Sequence, residues 1–168
     1  IMCARSFGYI YHNDDFSVID MYVSRAFDLN DDAVWHPKSL QKEIVENIGY
    51  TTTASALGGK NNYFTEWLML PTWEIYNNWQ ADCLNYFIKN DRFDVIFTHL
   101  HNVDGIGHNV WPHGEHNVHT DDKDIEKNKE LMIETYRQTD RYLAQFLYLL
   151  DEGWTIIVTS DHGLICDT

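Results

Sequence analysis

The chain has 168 residues, 44% of them hydrophobic and 14% aromatic, with six Trp, ten Tyr and eight Phe; this is enough apolar mass for one sizeable core and excludes a disordered polymer. Twelve basic against 26 acidic residues leave a net charge of −14, so a nucleic-acid backbone would be repelled with no counterions released, and polymeric nucleic acid is excluded as a partner. A small phosphate ester is not excluded, because bound dications invert the local sign of a site.

The first 35 residues mix aromatics with the acidic pairs Asp14-Asp15 and Asp31-Asp32, and no apolar β-branched strand is expected to lead into Asp14 or Asp15. From His36 to Ile48 the spacing of Leu40, Ile44, Val45 and Ile48 predicts a short amphipathic helix, with Gly49 as its stop. Asn47 to Asn62 reads as a loop around Gly58-Gly59, and Thr51-Thr-Thr53 reads as part of it. Trp73 to Asn90 predicts a longer helix with Trp73, Tyr76, Trp79 or Gln80, Cys83, Leu84 and Phe87 on one side.

Asp94 to Leu100 and Thr155 to Thr159 are short apolar runs rich in β-branched and aromatic residues, as expected of strands covered on both faces. Between them, Asn102 to Lys127 loses apolar periodicity and reads as a long loop. Asn128 to Leu150 reads as a helix whose stripe of Leu131, Met132, Tyr136, Leu143, Phe146 and Leu147 belongs to a core. This order suits a right-handed parallel βαβ crossover, with residues 73–168 as the motif-bearing part of one domain and 1–72 as a variable region or insertion. No run approaches the roughly 18 apolar residues of a membrane span. Cys3, Cys83 and Cys166 form neither a disulfide framework nor a CxxC zinc pattern; they read as buried thiols and lean towards a reducing, cytoplasmic compartment.

Two short signatures follow the predicted strands, Asp104-Gly-Ile-Gly-His108 and Asp161-His162-Gly163. Carboxylate oxygen and imidazole nitrogen suit a hard or borderline dication, and two such ions can clamp the attacking and leaving oxygens of an in-line displacement. Gly105 and Gly107 are expected to let the backbone turn tightly between the first pair. Ligands at strand ends sit where open α/β sheets bind substrates. Neither signature is specific alone; their pairing, each after a strand, is.

The segments His101-Asn-Val-Asp-Gly-Ile-Gly-His108 and Val158-Thr-Ser-Asp-His-Gly163 resemble two motifs of the alkaline phosphatase superfamily, in its type I phosphodiesterase/nucleotide pyrophosphatase branch, and the resemblance covers roughly residues 70–165. It implies an α/β fold with a parallel-sheet, alkaline-phosphatase-like core and flanking helices. It also implies that Asp104 and His108 hold one ion and Asp161 and His162 another, zinc first and manganese as the alternative. The resembled pattern further requires an Asp ending a first strand, a Thr or Ser nucleophile and a third His downstream, none of which is matched here. The expectation is therefore the middle of a larger catalytic domain, inactive by itself, whose incomplete sheet edge favours self-association.

Six of the nine histidines lie between positions 99 and 119. His99 and His101 are expected to make structural hydrogen bonds or to orient Asp104; Trp111 and His113 are candidates for a loop over the substrate, and His116 and His119 read as solvated. The leading reading is metal-dependent hydrolysis of small phosphate esters. The competing one is a noncatalytic domain of the same fold that binds a divalent ion or a protein partner. An unrelated nucleotide-binding domain is disfavoured by the absence of a GxGxxG or GxxxxGK[ST] loop.

Overall fold

The structure is a computed structural model and describes residues 8–23, 35–51, 69–90, 93–110 and 122–163. It is a mixed α/β arrangement dominated by helices, with one small sheet among the described residues. Two compact units divide it, the first holding Pro71–Val95 with the residues up to Ser55, the second holding Ile96–Thr168 with Leu70.

In the first unit, β1 (Gly8–His12) and β2 (Ile19–Val23) pair antiparallel, with Ile10 opposite Met21 and His12 opposite Ile19. The loop between them is closed by side chains. Asn13 Oδ1 accepts the Val18 N–H at 2.9 Å, Asn13 Nδ2 donates to Ser17 Oγ at 2.8 Å, and Asp15 Oδ1 accepts the Ser17 N–H at 3.0 Å. These bonds from Ser17 hold the Asp15 carboxyl below its ordinary pKa. As expected, no apolar β-branched strand leads into the acidic pair; the strand that ends just before it, β1, alternates Tyr9 and Tyr11 with Gly8, Ile10 and His12.

Helix α1 (Ser39–Asn47) buries Ile44 and ends as expected at Gly49, whose φ of +103° only glycine adopts without strain and whose N–H reaches the Ile44 carbonyl at 3.0 Å. Helix α2 (Leu70–Lys89) begins three residues earlier than the periodicity predicts. Its contacts to α1 are polar as well as aromatic: Trp79 Nε1 donates to the Gly49 carbonyl at 3.1 Å and the Tyr86 hydroxyl to Glu43 at 2.8 Å, while Trp35 packs edge-on against Trp79. Cys83 is buried here as expected, and Cys3 and Cys166 lie outside the described residues. Desolvation first, and then the Asp82 charge, push the Cys83 thiol up to about 12.

The second unit corrects the predicted long loop. Residues Asn102–Val110 form helix α3, and helix α4 runs from Asp122 to Ala144, followed by a 3₁₀ turn over Leu147–Leu150. Residues 111–121 lie outside the described residues. Gly105 and Gly107 each weaken an isolated helix by about 1 kcal/mol relative to Ala, which is why the segment reads as a loop. Both are buried and α3 packs on α4, so tertiary packing outweighs propensity.

The α4 core stripe also differs from expectation. Leu131, Met132 and Phe146 are buried as predicted, but Tyr136 and Leu147 are exposed, and the buried row instead runs through Asn128, Thr135, Gln138 and Tyr142. The predicted stripe is apolar, whereas the fold also buries polar side chains, of which Thr135 and Gln138 bond to backbone carbonyls. Gln138 Nε2 donates to the Leu70 carbonyl at 2.8 Å and Thr135 Oγ1 to the Leu131 carbonyl at 2.8 Å. On the outer face Glu134 accepts from the exposed Arg141 at 2.8 Å, which lowers its pKa.

The two predicted buried strands are not in a ladder among the described residues. Val95 (83% exposed), Phe97 (87%), Ile157 (83%) and Val158 (72%) face outward, although Thr98 Oγ1 meets the Tyr142 hydroxyl of α4 at 3.0 Å. A strand needs neighbours for its own N–H and C=O groups, and the described residues supply none here. No described helix is long and apolar enough to cross a membrane.

Two outcomes follow from this packing. Gln138→Ala removes its bond to the Leu70 carbonyl, so urea denaturation should show a loss of about 0.5–1.5 kcal/mol; an unchanged midpoint would contradict the anchor. With Cys3 and Cys166 replaced by Ser, a thiol reagent at pH 8 should leave Cys83 unmodified until the chain is unfolded, since a thiol at about 12 is ionised there in only roughly one molecule in ten thousand.

Candidate functional site

The first signature lies on the opening turns of α3. The Gly105 N–H donates to the His101 carbonyl at 2.9 Å, so His101 caps the helix and Asp104 sits in its first turn, where the N-terminal dipole favours a carboxylate. Helical spacing puts positions 104 and 108 one turn apart on one face of α3. The tight turn expected between them is a helical turn instead.

Asn102, wholly buried at the start of α3, fixes this helix to α4. Its Nδ2 lies 3.2 Å from Thr139 Oγ1 and 3.5 Å from the Thr135 carbonyl, and the Thr139 hydroxyl is 3.4 Å from Asn102 Oδ1. Sequence reading passed over Asn102, Thr135 and Thr139 because it followed apolar side chains. The signal was present: positions 128, 131, 135, 138 and 142 keep helical spacing once Asn, Thr and Gln are admitted to the buried face.

The second signature leaves the turn at 151–153, which closes through Gly153 (φ +86°) and the Trp154 N–H on the Leu149 carbonyl at 2.9 Å. Local bonds shape it. Ser160 Oγ donates to the His162 carbonyl at 2.5 Å, Asp161 Oδ1 accepts the His162 N–H at 3.1 Å, and His162 Nδ1 lies 3.2 Å from the Gly163 carbonyl. A carbonyl can only accept, so in this contact Nδ1 is the donor, and Nε2 is the ring nitrogen nearer the carboxylates.

That Nε2 meets both signatures. It stands 3.8 Å from Asp104 Oδ1 and 3.9 Å from Asp161 Oδ1. The other Asp104 oxygen, Oδ2, is 3.0 Å from His101 Nε2, and the His99 ring lies edge-on to His101 with centroids 5.3 Å apart. Asp104, Asp161 and His162 are thus brought together, with His101 and His99 beside them. The His108 side chain, Trp111 and His113 lie outside the described residues, as do Thr52 and Thr53, while Thr51 is buried.

Two carboxylate oxygens drawn towards one imidazole repel each other unless positive charge lies among them. In donor type, carboxylate oxygen and imidazole nitrogen, the residues suit a divalent cation. Among the described residues, however, no three His, Cys, Asp or Glu side chains form a ready cage; the contacts run as a chain from His101 through Asp104 and His162 to Asp161.

Comparison with known proteins bears on the same residues. The type I phosphodiesterase/nucleotide pyrophosphatase family matches over residues 19–165, a span that includes both signatures. Among curated proteins, GPI ethanolamine phosphate transferase 3 of Schizosaccharomyces pombe is 30% identical over 78 residues, 46% of this chain and 7% of that protein. The chain therefore aligns with only a small part of that relative's length. No solved structure matches significantly. With the match running through nearly the whole sequence, the chain belongs to the type I phosphodiesterase/nucleotide pyrophosphatase family.

Proposed function

We propose that the protein carrying this sequence cleaves small phosphate esters at a site where Asp104 and His108 hold one divalent ion and Asp161 and His162 a second, zinc first and manganese as the alternative. The observation that carries this is His162 Nε2 standing 3.8 and 3.9 Å from carboxylate oxygens of both signatures. Such a pair of ions, when bound, offsets negative charge on phosphoryl oxygens and supplies an activated water.

The chain's own residues orient and bind. The Gly163 carbonyl beside Nδ1 orients the His162 ring with Nε2 towards the carboxylates, and the N-terminus of α3 favours negative charge at Asp104. In the family pattern a Thr or Ser attacks the phosphorus, and no residue described here fills that role. The extended segments 94–100 and 155–159 would be strands of a parallel sheet, which places both signatures at strand ends. A net charge of −14 disfavours polymeric nucleic acid as substrate.

A second reading, transfer of the phosphoryl-bearing group to an alcohol in place of water, is favoured by the relative named as an ethanolamine phosphate transferase. The two differ only in the acceptor.

In the full-length protein, His108→Ala and Asp161→Ala should each lower bis-p-nitrophenyl phosphate turnover by roughly two orders of magnitude or more, with a matching fall in bound metal by elemental analysis. Since Asp161 is exposed, its loss should change stability by less than about 0.5 kcal/mol. Variants with wild-type turnover and metal would refute the site. Product analysis with an added alcohol distinguishes hydrolysis from transfer.

A further inference from the structure

We infer that His101 is a positioning residue for Asp104, donating from Nε2 to Oδ2 and so turning Oδ1 towards His162; this rests on the reading of Asp104 as a metal-holding carboxylate. A carboxylate on a helix surface has a broad terminal torsion and two equivalent oxygens, so helix position alone does not decide which oxygen faces the second signature. His101 Nε2 at 3.0 Å from Oδ2 occupies one oxygen, and Oδ1 is left enclosed, 3.8 Å from His162 Nε2.

The arrangement is suited to the task on three counts. His101 is the cap residue of α3 and lies three positions before Asp104, so its imidazole needs no other element to reach the carboxylate. Its neighbour Asn102 is clamped against Thr135 and Thr139 of α4, so the backbone from which both side chains spring is fixed. The His101 ring is more than half exposed, so its contact with Asp104 cannot be explained as filling of the core. The His99 ring, edge-on at 5.3 Å, limits the orientations open to the His101 imidazole. Partners that hydrogen-bond a metal-holding carboxylate typically change metal affinity or activity by about 10–100-fold when removed.

The test uses the full-length protein in four forms, wild type, His101→Ala, His101→Gln and Asp104→Asn, each with a thermal melt. Zinc affinity is read by competition with a chromophoric chelator, and kcat and KM are read separately on bis-p-nitrophenyl phosphate. The expected result is a zinc affinity about 10–100-fold weaker in His101→Ala, with kcat reduced, KM little changed and the melt unmoved. His101→Gln, whose side-chain amide can donate in place of Nε2, should recover most of both losses. Wild-type zinc affinity in His101→Ala, beside a clear loss in Asp104→Asn, would overturn the positioning role alone. A His101→Gln variant as deficient as His101→Ala would overturn it in favour of direct ligation by the imidazole. Full zinc binding and turnover in Asp104→Asn would overturn the underlying site reading as well.

Discussion

The packing of α3 against α4, pinned by the buried amide of Asn102, is the constraint on which the candidate site depends. Asn102 is wholly enclosed, and an unmet polar group in such a place costs about 1–3 kcal/mol, so the amide admits only those placements of α3 that bring Thr135 and Thr139 within reach. Ile106, also fully buried, and the buried Gly105 and Gly107 belong to the same helix. Asp104, two residues beyond Asn102, inherits its position from that lock. Gln138, bonded to the Leu70 carbonyl, fixes α4 at a second point of the same polar row. Satisfied buried polar groups of this kind specify one arrangement more sharply than interchangeable apolar contacts do.

Around this frame the electrostatics are local. The chain as a whole is strongly acidic, yet Asp104 is met by the positive end of its own helix, by His101 on one oxygen and by His162 near the other. Asp161 and Asp104 approach the same imidazole nitrogen from different segments. An acidic protein with converging carboxylates is set up to concentrate cations, and the imidazoles decide where they would be held. The exposed apolar side chains of Val95, Phe97, Ile157 and Val158 precede the two signatures, so the segments that deliver the site are also the ones with least cover.

The first unit contrasts with this. Its contacts are aromatic and structural, Trp79 on the α1 exit and Tyr86 on Glu43, and its buried thiol is held neutral by desolvation. The acidic pair Asp14-Asp15 lies in a hairpin loop closed by Asn13 and Ser17.

Much of this was legible in the chain itself. Helix α1 with Gly49, the body of α2, the long helix α4 and both signatures follow from spacing and residue type, because apolar periodicity and glycine stops are local properties. Family membership was legible for the same reason, since His101 to His108 and Val158 to Gly163 are contiguous words. Tertiary structure decided the rest. Whether Asp104-Gly-Ile-Gly-His108 is a loop or a helix depended on packing against α4, which overrode glycine's poor propensity. Which face of α4 is buried depended on partners for Thr135 and Gln138, and burial of a polar side chain is set by what it can bond, a non-local property. That Asp104 and His162, 58 positions apart in the chain, come within 3.8 Å is a product of packing alone, because no periodicity within either segment encodes the distance between them.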